Sequence, residues 1–201
     1  MPRRVDHQQR RAEIAYAVWA VIAEDGLDAV SLRRVAAEAG ISLGRVQHYF
    51  GSKEELLRHT CQTMIDVSAS SFTERTATLG ALATVRALVR QPVPRDERTR
   101  VGTAVWQAFL TRAASDPGLR AIIGEAVTGT QRELARLLAQ AQVDGTVPRS
   151  VDPQRLGQAL FALGYGLAQQ VLIAGLTAEE AFAAIDATLD GLTERAPVTS
   201  D

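Results

Sequence analysis

The stretch GISLGRVQHYFGSKEELL, Gly40 to Leu57, decides how the rest of the chain is read. Ser42 offers an N-cap, and Val46 and Phe50 then fall on one face of a short helix. At about 100° per residue, Gly44 and His48 point nearly opposite, with Arg45 and Gln47 on the flanks. Upstream, Ser31 is a second N-cap, and Leu32, Val35, Ala36 and Ala39 form one apolar stripe that stops at Gly40. Two short helices joined by Gly40-Ile41-Ser42 make the helix-turn-helix pattern. Gly40 can take the left-handed conformation the turn needs, and Ile41 is expected to plug that turn into the core.

Working outward, Ile14, Val18, Val21 and Ile22 recur at helical spacing from about residue 7 to 24, and Gly26 stops that helix. Ser52 and Glu55 have capping-box spacing and open a long helix through Leu56, Leu57, Met64 and Val67. Beyond residue 75 the chain becomes Ala- and Leu-rich, with Pro/Gly breaks in QPVPRDE, SDPG, DGTVPRSVDP and AGLTAEE. Between the breaks, helices are predicted near 79–90, 96–114, 118–143, 153–173 and 177–192. Asp152-Pro153 places an N-cap before a proline at the first helical position, and Thr177 and Glu180 repeat the capping box. No stretch alternates in the manner of a strand. The expected fold is all-α with about nine helices: a helix-turn-helix unit over 1–52, a larger helical domain over 53–195, and a disordered tail over 196–201.

The 201 residues are 46% hydrophobic and carry a net charge of −1, which suits a globular core and gives no global drive toward nucleic acid. Residues 1–60 hold nine Arg/Lys against eight Asp/Glu, so attraction to a polyanion would have to be local. The single cysteine, Cys61, excludes an internal disulfide framework and fits a reducing compartment. MPRRVDHQQRR leads into an amphipathic segment with no signal-peptide core. No apolar run approaches the roughly 20 residues of a membrane span. A cytoplasmic protein without membrane contact is expected. Paired carboxylates at metal-site spacing, a nucleophile–base set and a phosphate-binding glycine loop are all missing, so no enzyme, metal or cofactor is expected.

The outward face of the second short helix carries groups with defined uses in a DNA major groove. Arginine pairs with guanine, glutamine with adenine, and small or apolar residues meet a thymine methyl or allow close approach. Leu43, Gly44, Arg45, Gln47 and His48 are the candidate base readers, with Leu43 divided between this role and packing. Ser31, Arg33, Ser42, Tyr49 and Lys53 are the candidate phosphate contacts, Lys53 at a helix N-terminus that itself favours an anion. Tyr49 has packing as its alternative. Arg3, Arg4, Arg10 and Arg11 are either a flexible basic arm or a solvated tail.

The segment from Ala12 to Leu57 resembles the DNA-binding domain of the TetR family of bacterial transcriptional regulators. The resemblance rests on IAYAVWAVIAEDGLDAVSLRRVAAEAGIS, then G-x-x-x-x-YF, then SKEEL. More loosely, DPQRLGQALFALGYGLAQQVLIAGLTAEEAFAAIDATLDGL is similar to the sensing and dimerisation domain of members with a choline-regulator-like, BetI-type C-terminus. The resemblance implies a bacterial repressor, nucleoid-associated when bound, that a small molecule releases from its operator. Family members often carry Thr and Tyr where this chain has Arg45 and Gln47, and a basic or polar residue in place of Leu43. The operator preference is therefore this chain's own.

In the larger domain, Met64, Trp106, Phe109, Phe161 and Tyr165, with the polar Gln107, Gln131 and Gln169, are either ordinary core or the wall of a small-molecule cavity. Glu125 and Asp66 are secondary candidates to neutralise a cationic ligand. Leu156, Leu160, Leu163, Gly164, Leu167 and Val171, followed by Ala184, Ile185, Thr188 and Leu189, are expected to face a twofold mate in a four-helix interface, with Gly157, Gly164 and Gly166 permitting close approach. Such a homodimer would set two recognition helices about 34 Å apart and read a palindromic double-stranded operator. The alternatives are an activator or a constitutive DNA binder without an inducer, and a helical small-molecule binder whose N-terminal unit merely packs.

Overall fold

A computed structural model describes residues 2–193, with the side chains of 2–6 and 193 left aside. The tail expected over 196–201 lies outside the described residues. Nine α-helices and no strand occur among them: α1 (Pro2–Asp25), α2 (Leu32–Glu38), α3 (Leu43–Tyr49), α4 (Lys53–Thr76), α5 (Ala81–Arg90), α6 (Glu97–Ala113), α7 (Pro117–Val143), α8 (Pro153–Ile173) and α9 (Ala178–Thr193). A single 3-10 turn, Leu27–Ala29, follows Gly26, whose φ of 83° ends α1.

The helix starts follow from the caps. Ser31 and Ser42 accept from the backbone N–H groups of Arg34 and Arg45, at 3.1 and 3.2 Å. Asp152 accepts from Gln154 and Arg155, and Thr177 and Glu180 bond reciprocally as a full capping box. The box at Ser52 is displaced by one residue. Ser52 caps Glu55 N, but the Glu55 carboxylate accepts from Gly51 N at 2.8 Å rather than from Ser52.

The chain forms two compact units. The first holds residues up to Ser70 together with Ala104–Glu125, and the second holds Ser71–Thr103 and residues from Ala126 on. In the first, α1 packs on α2 and α2 on α3. Ile14, Val18 and Val21 of α1, Val35 of α2, Val46 and Phe50 around α3, and Leu56, Leu57 and Cys61 of α4 are all buried. Val105, Phe109 and Ala113 of α6 and Leu119 and Ile123 of α7 are buried in the same unit. Val67, read as part of the apolar line of α4, is exposed instead. Arg34 ties α2 to the end of α1 by bonding Glu24, Asp25 and its own helix's Glu38.

Two polar groups in this core have defined chemistry. Burial pushes the Cys61 thiol up to about 12, so it stays protonated and is a poor candidate for redox sensing. His59 sits below its ordinary value, first because of burial and then because of the Arg11 charge, and its ring lies 5.3 Å from that of Phe50. An imidazole held neutral in the fold binds fewer protons than the unfolded chain does below the ordinary value of 6.5. Its contribution to stability is complete above that pH and is lost as the pH falls through it. Urea unfolding at pH 7.5 and pH 5.5 should therefore give a lower midpoint at the acid end, and His59→Gln should flatten the difference.

The second unit is built on α5, α7, α8 and α9. Val85 and Val89, Leu134 and Leu138, Leu160 and Leu167, and Ile185 and Leu189 share one core. Arg86 bridges Asp186 and Asp190 at 2.6 Å each, and Arg90 takes the other oxygen of Asp186, locking α5 to α9. This packing corrects the expected role of several α8 and α9 residues. Leu160, Gly164, Leu167, Ile185 and Leu189 are buried inside their own chain. Leu156, Leu163 and Val171 are half-buried against the same core, while Ala184 and Thr188 do face outward. The glycines follow suit: a Cβ on Gly164 would lie 2.4 Å from Val89 O, and one on Gly157 would lie 3.2 Å from Ala135 N. Both close approaches are within the chain, and only Gly166 has open space around it. By length and composition α8, at 21 residues, is long and apolar enough to cross a membrane, alone among the described helices. A core helix meets the same test, and α8 buries Gly157, Leu160, Gly164, Leu167 and Ala168.

Candidate nucleic-acid interface

The site is a seven-residue helix, too short to be stable in isolation, so its neighbours must hold it. At its start the turn is a Schellman closure of α2. Gly40, at φ 64°, donates to Ala37 O, and Ile41 donates to Ala36 O. Ile41 is half-buried under the turn. Along α3, Val46 is 0% and Phe50 1% exposed, whereas Gly44, Arg45, Gln47 and His48 are all exposed. Leu43 is half-buried.

The far end of α3 is held by Arg11. Its guanidinium donates to Tyr49 O at 3.0 Å, lies 4.4 Å over the Phe50 ring and sits 3.9 Å from the Glu55 carboxylate. A cation at a helix C-terminus satisfies a carbonyl left without an intrahelical partner and complements the dipole. This corrects the reading of Arg10 and Arg11 as arm or tail. Both lie within α1, Arg10 pairs with Glu13 at 2.5 Å, and Arg11 is a structural clasp. The side chains of Arg3 and Arg4 lie outside the description.

The phosphate candidates are disposed unevenly. The Ser31 and Ser42 oxygens accept cap bonds, which leaves each hydroxyl proton available as a donor. Arg33 is exposed, while neighbouring Arg34 is committed to its three carboxylates. Lys53 donates to Asp28 O at 3.2 Å, a hold that leaves an ammonium with two further donors. Tyr49 is half-buried, its ring 4.6 Å from that of His7 and 5.2 Å from that of His48. His7 was not singled out in the sequence. Its spacing of four from Arg11, which puts both on one face of α1, is the signal that finds it.

The pocket candidates divide between the units. Met64, Trp106, Gln107 and Phe109 belong to the first; Gln131, Phe161, Tyr165 and Gln169 belong to the second. Phe109 is fully buried, and Trp106 Nε1 is buried with no hydrogen-bond partner among the described residues. Phe161 and Tyr165 have rings 4.5 Å apart, and Phe161 packs on the second core. Asp66 accepts from Gln62, and Glu125 is exposed.

Comparison with known proteins places this geometry. Residues 16–60 match the model of bacterial regulatory proteins of the tetR family, and residues 81–194 match that of the BetI-type transcriptional repressor C-terminal domain. The HTH-type transcriptional regulator PksA of Bacillus subtilis is 29% identical over 175 residues, 86% of this chain and 83% of its own. The regulator BetI of Burkholderia thailandensis is 34% identical over 122 residues, 60% of this chain and 63% of its own. Among solved structures, a transcriptional regulator from Rhodococcus sp. Rha1 superposes with a TM-score of 0.81 at 27% identity, covering 94% of this chain and 99% of that one. The crystal structure of a Saccharomonospora viridis regulator in complex with choline gives 0.83 at 23% identity, over 91% and 96%, and shares the fold. The chain belongs to the TetR family of bacterial transcriptional regulators, DNA-binding proteins rather than enzymes, and carries a C-terminal domain of the BetI type.

Proposed function

We propose that this regulator is a homodimeric repressor whose residues 1–52 bind a palindromic double-stranded operator and whose residues 53–195 sense a small molecule and dimerise. The observation that carries the reading is the division of α3 into a buried edge, Val46 and Phe50, and an exposed polar edge, Gly44, Arg45, Gln47 and His48. Arg45 and Gln47 read base edges, His48 and Leu43 border them, and Gly44 allows close approach. Ser31, Arg33, Ser42, Tyr49 and Lys53 set the register on the phosphates. Twofold pairing uses the outward residues of the last two helices: Ala159, Ala162, Gly166 and Ile173 on α8, the last 77% exposed, with Ala184 and Thr188 on α9.

A small-molecule effector is sensed by the helical domain, either beside Gln131, Phe161, Tyr165 and Gln169 in the second unit or beside Met64, Trp106, Gln107 and Phe109 in the first, where the unpaired Trp106 N–H offers one directional donor. It releases DNA by favouring a tilt of α4 that takes the recognition helices out of register. Only a ligand that prefers one conformation can do this.

The test is a selection of bound duplexes at fixed salt. Arg45→Ala should lose discrimination at one base pair by about 1–3 kcal/mol, while Lys53→Ala should weaken all duplexes alike and reduce the salt slope by about one. If Arg45→Ala selects the same sequences with the same stringency, α3 does not read the operator.

A further inference from the structure

Within the second unit lies a cavity of about 280 Å3 that includes none of the effector-pocket residues named above. The last turn of α4 contributes Phe72 and Arg75, the connection that follows it Leu79, α5 contributes Arg90, the next connection Arg95, and α9 contributes Phe182. Among the described residues, no acidic side chain lines it. Its walls are of two kinds, an apolar part made by two phenyl rings and a leucine, and a cationic part made by three guanidinium groups.

Part of this charge is paired among the described residues. Arg86 and Arg90 together face Asp186 and Asp190, two cations against two anions. That leaves Arg75 and Arg95. Arg75 donates to the neutral Ser71 hydroxyl at 2.6 Å. Arg95 Nε lies 3.9 Å from Asp96 Oδ2, a half-exposed and therefore weak pair, while Asp96 Oδ1 accepts from Thr99 N and Oγ and caps α6. Helices α4 and α5 both end at the cavity, and each brings about half a negative charge. Arg75, held only by a neutral hydroxyl, offsets those two halves, and the weakly paired Arg95 adds to it.

Arg90 adds direction. Its guanidinium is fixed by Asp186 and lies 5.0 Å from the Phe182 ring centroid, and its Nε is buried without a partner.

We propose that this cavity is a binding site for a small aromatic anion. A carboxylate or sulfonate would meet Arg75, Arg90 and Arg95, and a ring system would lie against Phe72 and Phe182. The volume is just below the usual range for small-molecule sites, about 300–1,000 Å3, so the ligand is no larger than a few fused or linked rings. This site does not depend on the operator reading and is separate from the effector pocket.

The test uses two fluorescent probes that differ in charge, 8-anilinonaphthalene-1-sulfonate and the uncharged N-phenyl-1-naphthylamine, titrated into the full-length protein. The anion should bind once per chain and about tenfold or more tighter than the neutral probe. Arg75→Gln with Arg95→Gln should bring the two probes to within about twofold, and Arg75→Lys with Arg95→Lys should keep the preference. Should the double glutamine variant unfold, Arg95→Gln alone should cost the anion about threefold and the neutral probe nothing. Equal affinities for the two probes in the unaltered protein, or a preference that survives the loss of both arginine charges, would overturn the site.

Discussion

Gly164→Ala should lower the thermal midpoint by roughly 6–12 °C, the shift expected for about 3 kcal/mol in a chain of this size. The new Cβ would be placed 2.4 Å from the main-chain oxygen of Val89. A flexible side chain could swing aside, but this obstacle is backbone within α5. Either α5 and α8 separate or the core between them is distorted, and overpacking of this kind costs about 1–3 kcal/mol even where side chains give way. Gly166→Ala provides the internal control. It sits on the same helix with nothing within 4 Å, so it should be neutral or stabilising by up to about 1 kcal/mol through helix propensity. Circular dichroism melts of both variants decide the matter; equal midpoints would mean that α8 does not seat on α5 as described.

The second large effect is expected at Phe50. Its ring is 1% exposed, carries the Arg11 guanidinium at 4.4 Å and touches the His59 ring. Phe50→Ala removes a buried aromatic at a cost of about 3–5 kcal/mol. It also takes away the surface on which the clasp at the end of α3 rests. DNA binding should be lost across all sequences, in contrast to Arg45→Ala, which alters preference at one base pair. Proteolysis of the variant with and without an operator duplex should show the first unit cleaved faster. A Phe50→Ala protein that binds DNA normally would mean α3 is held by other means.

Local chemistry explains how much of this was legible beforehand. Ser31, Ser42, Asp152 and Thr177 cap the helices at which they were read, because a cap needs only its own three following residues. The same holds for Gly40, whose closure of α2 involves bonds spanning five residues at most. Contacts between distant segments were less visible. Arg11 looked like part of a basic tail, since its partner Tyr49 O is 38 residues away and belongs to the main chain. On α8, apolar and small residues occur nearly all round the helix, so periodicity gave no single stripe. Leu160 and Leu167 were assigned outward when they face α5, α7 and α9 in one core. The arginine cavity draws on residues between 72 and 182, each unremarkable in its own stretch.

The clasp on α3 has a consequence for how such a regulator changes its target. Arg11 grips a carbonyl oxygen, which any residue at position 49 supplies, and the fold asks for fully buried side chains only at Val46 and Phe50. The exposed positions 44, 45 and 47 carry no packing obligation, and His48 meets only the edges of the Tyr49 and His7 rings. They can be exchanged among duplicated copies of the gene without disturbing the scaffold. A lineage can therefore drift from one DNA sequence to another through soluble, folded intermediates, and divergence in recognition is decoupled from the risk of misfolding.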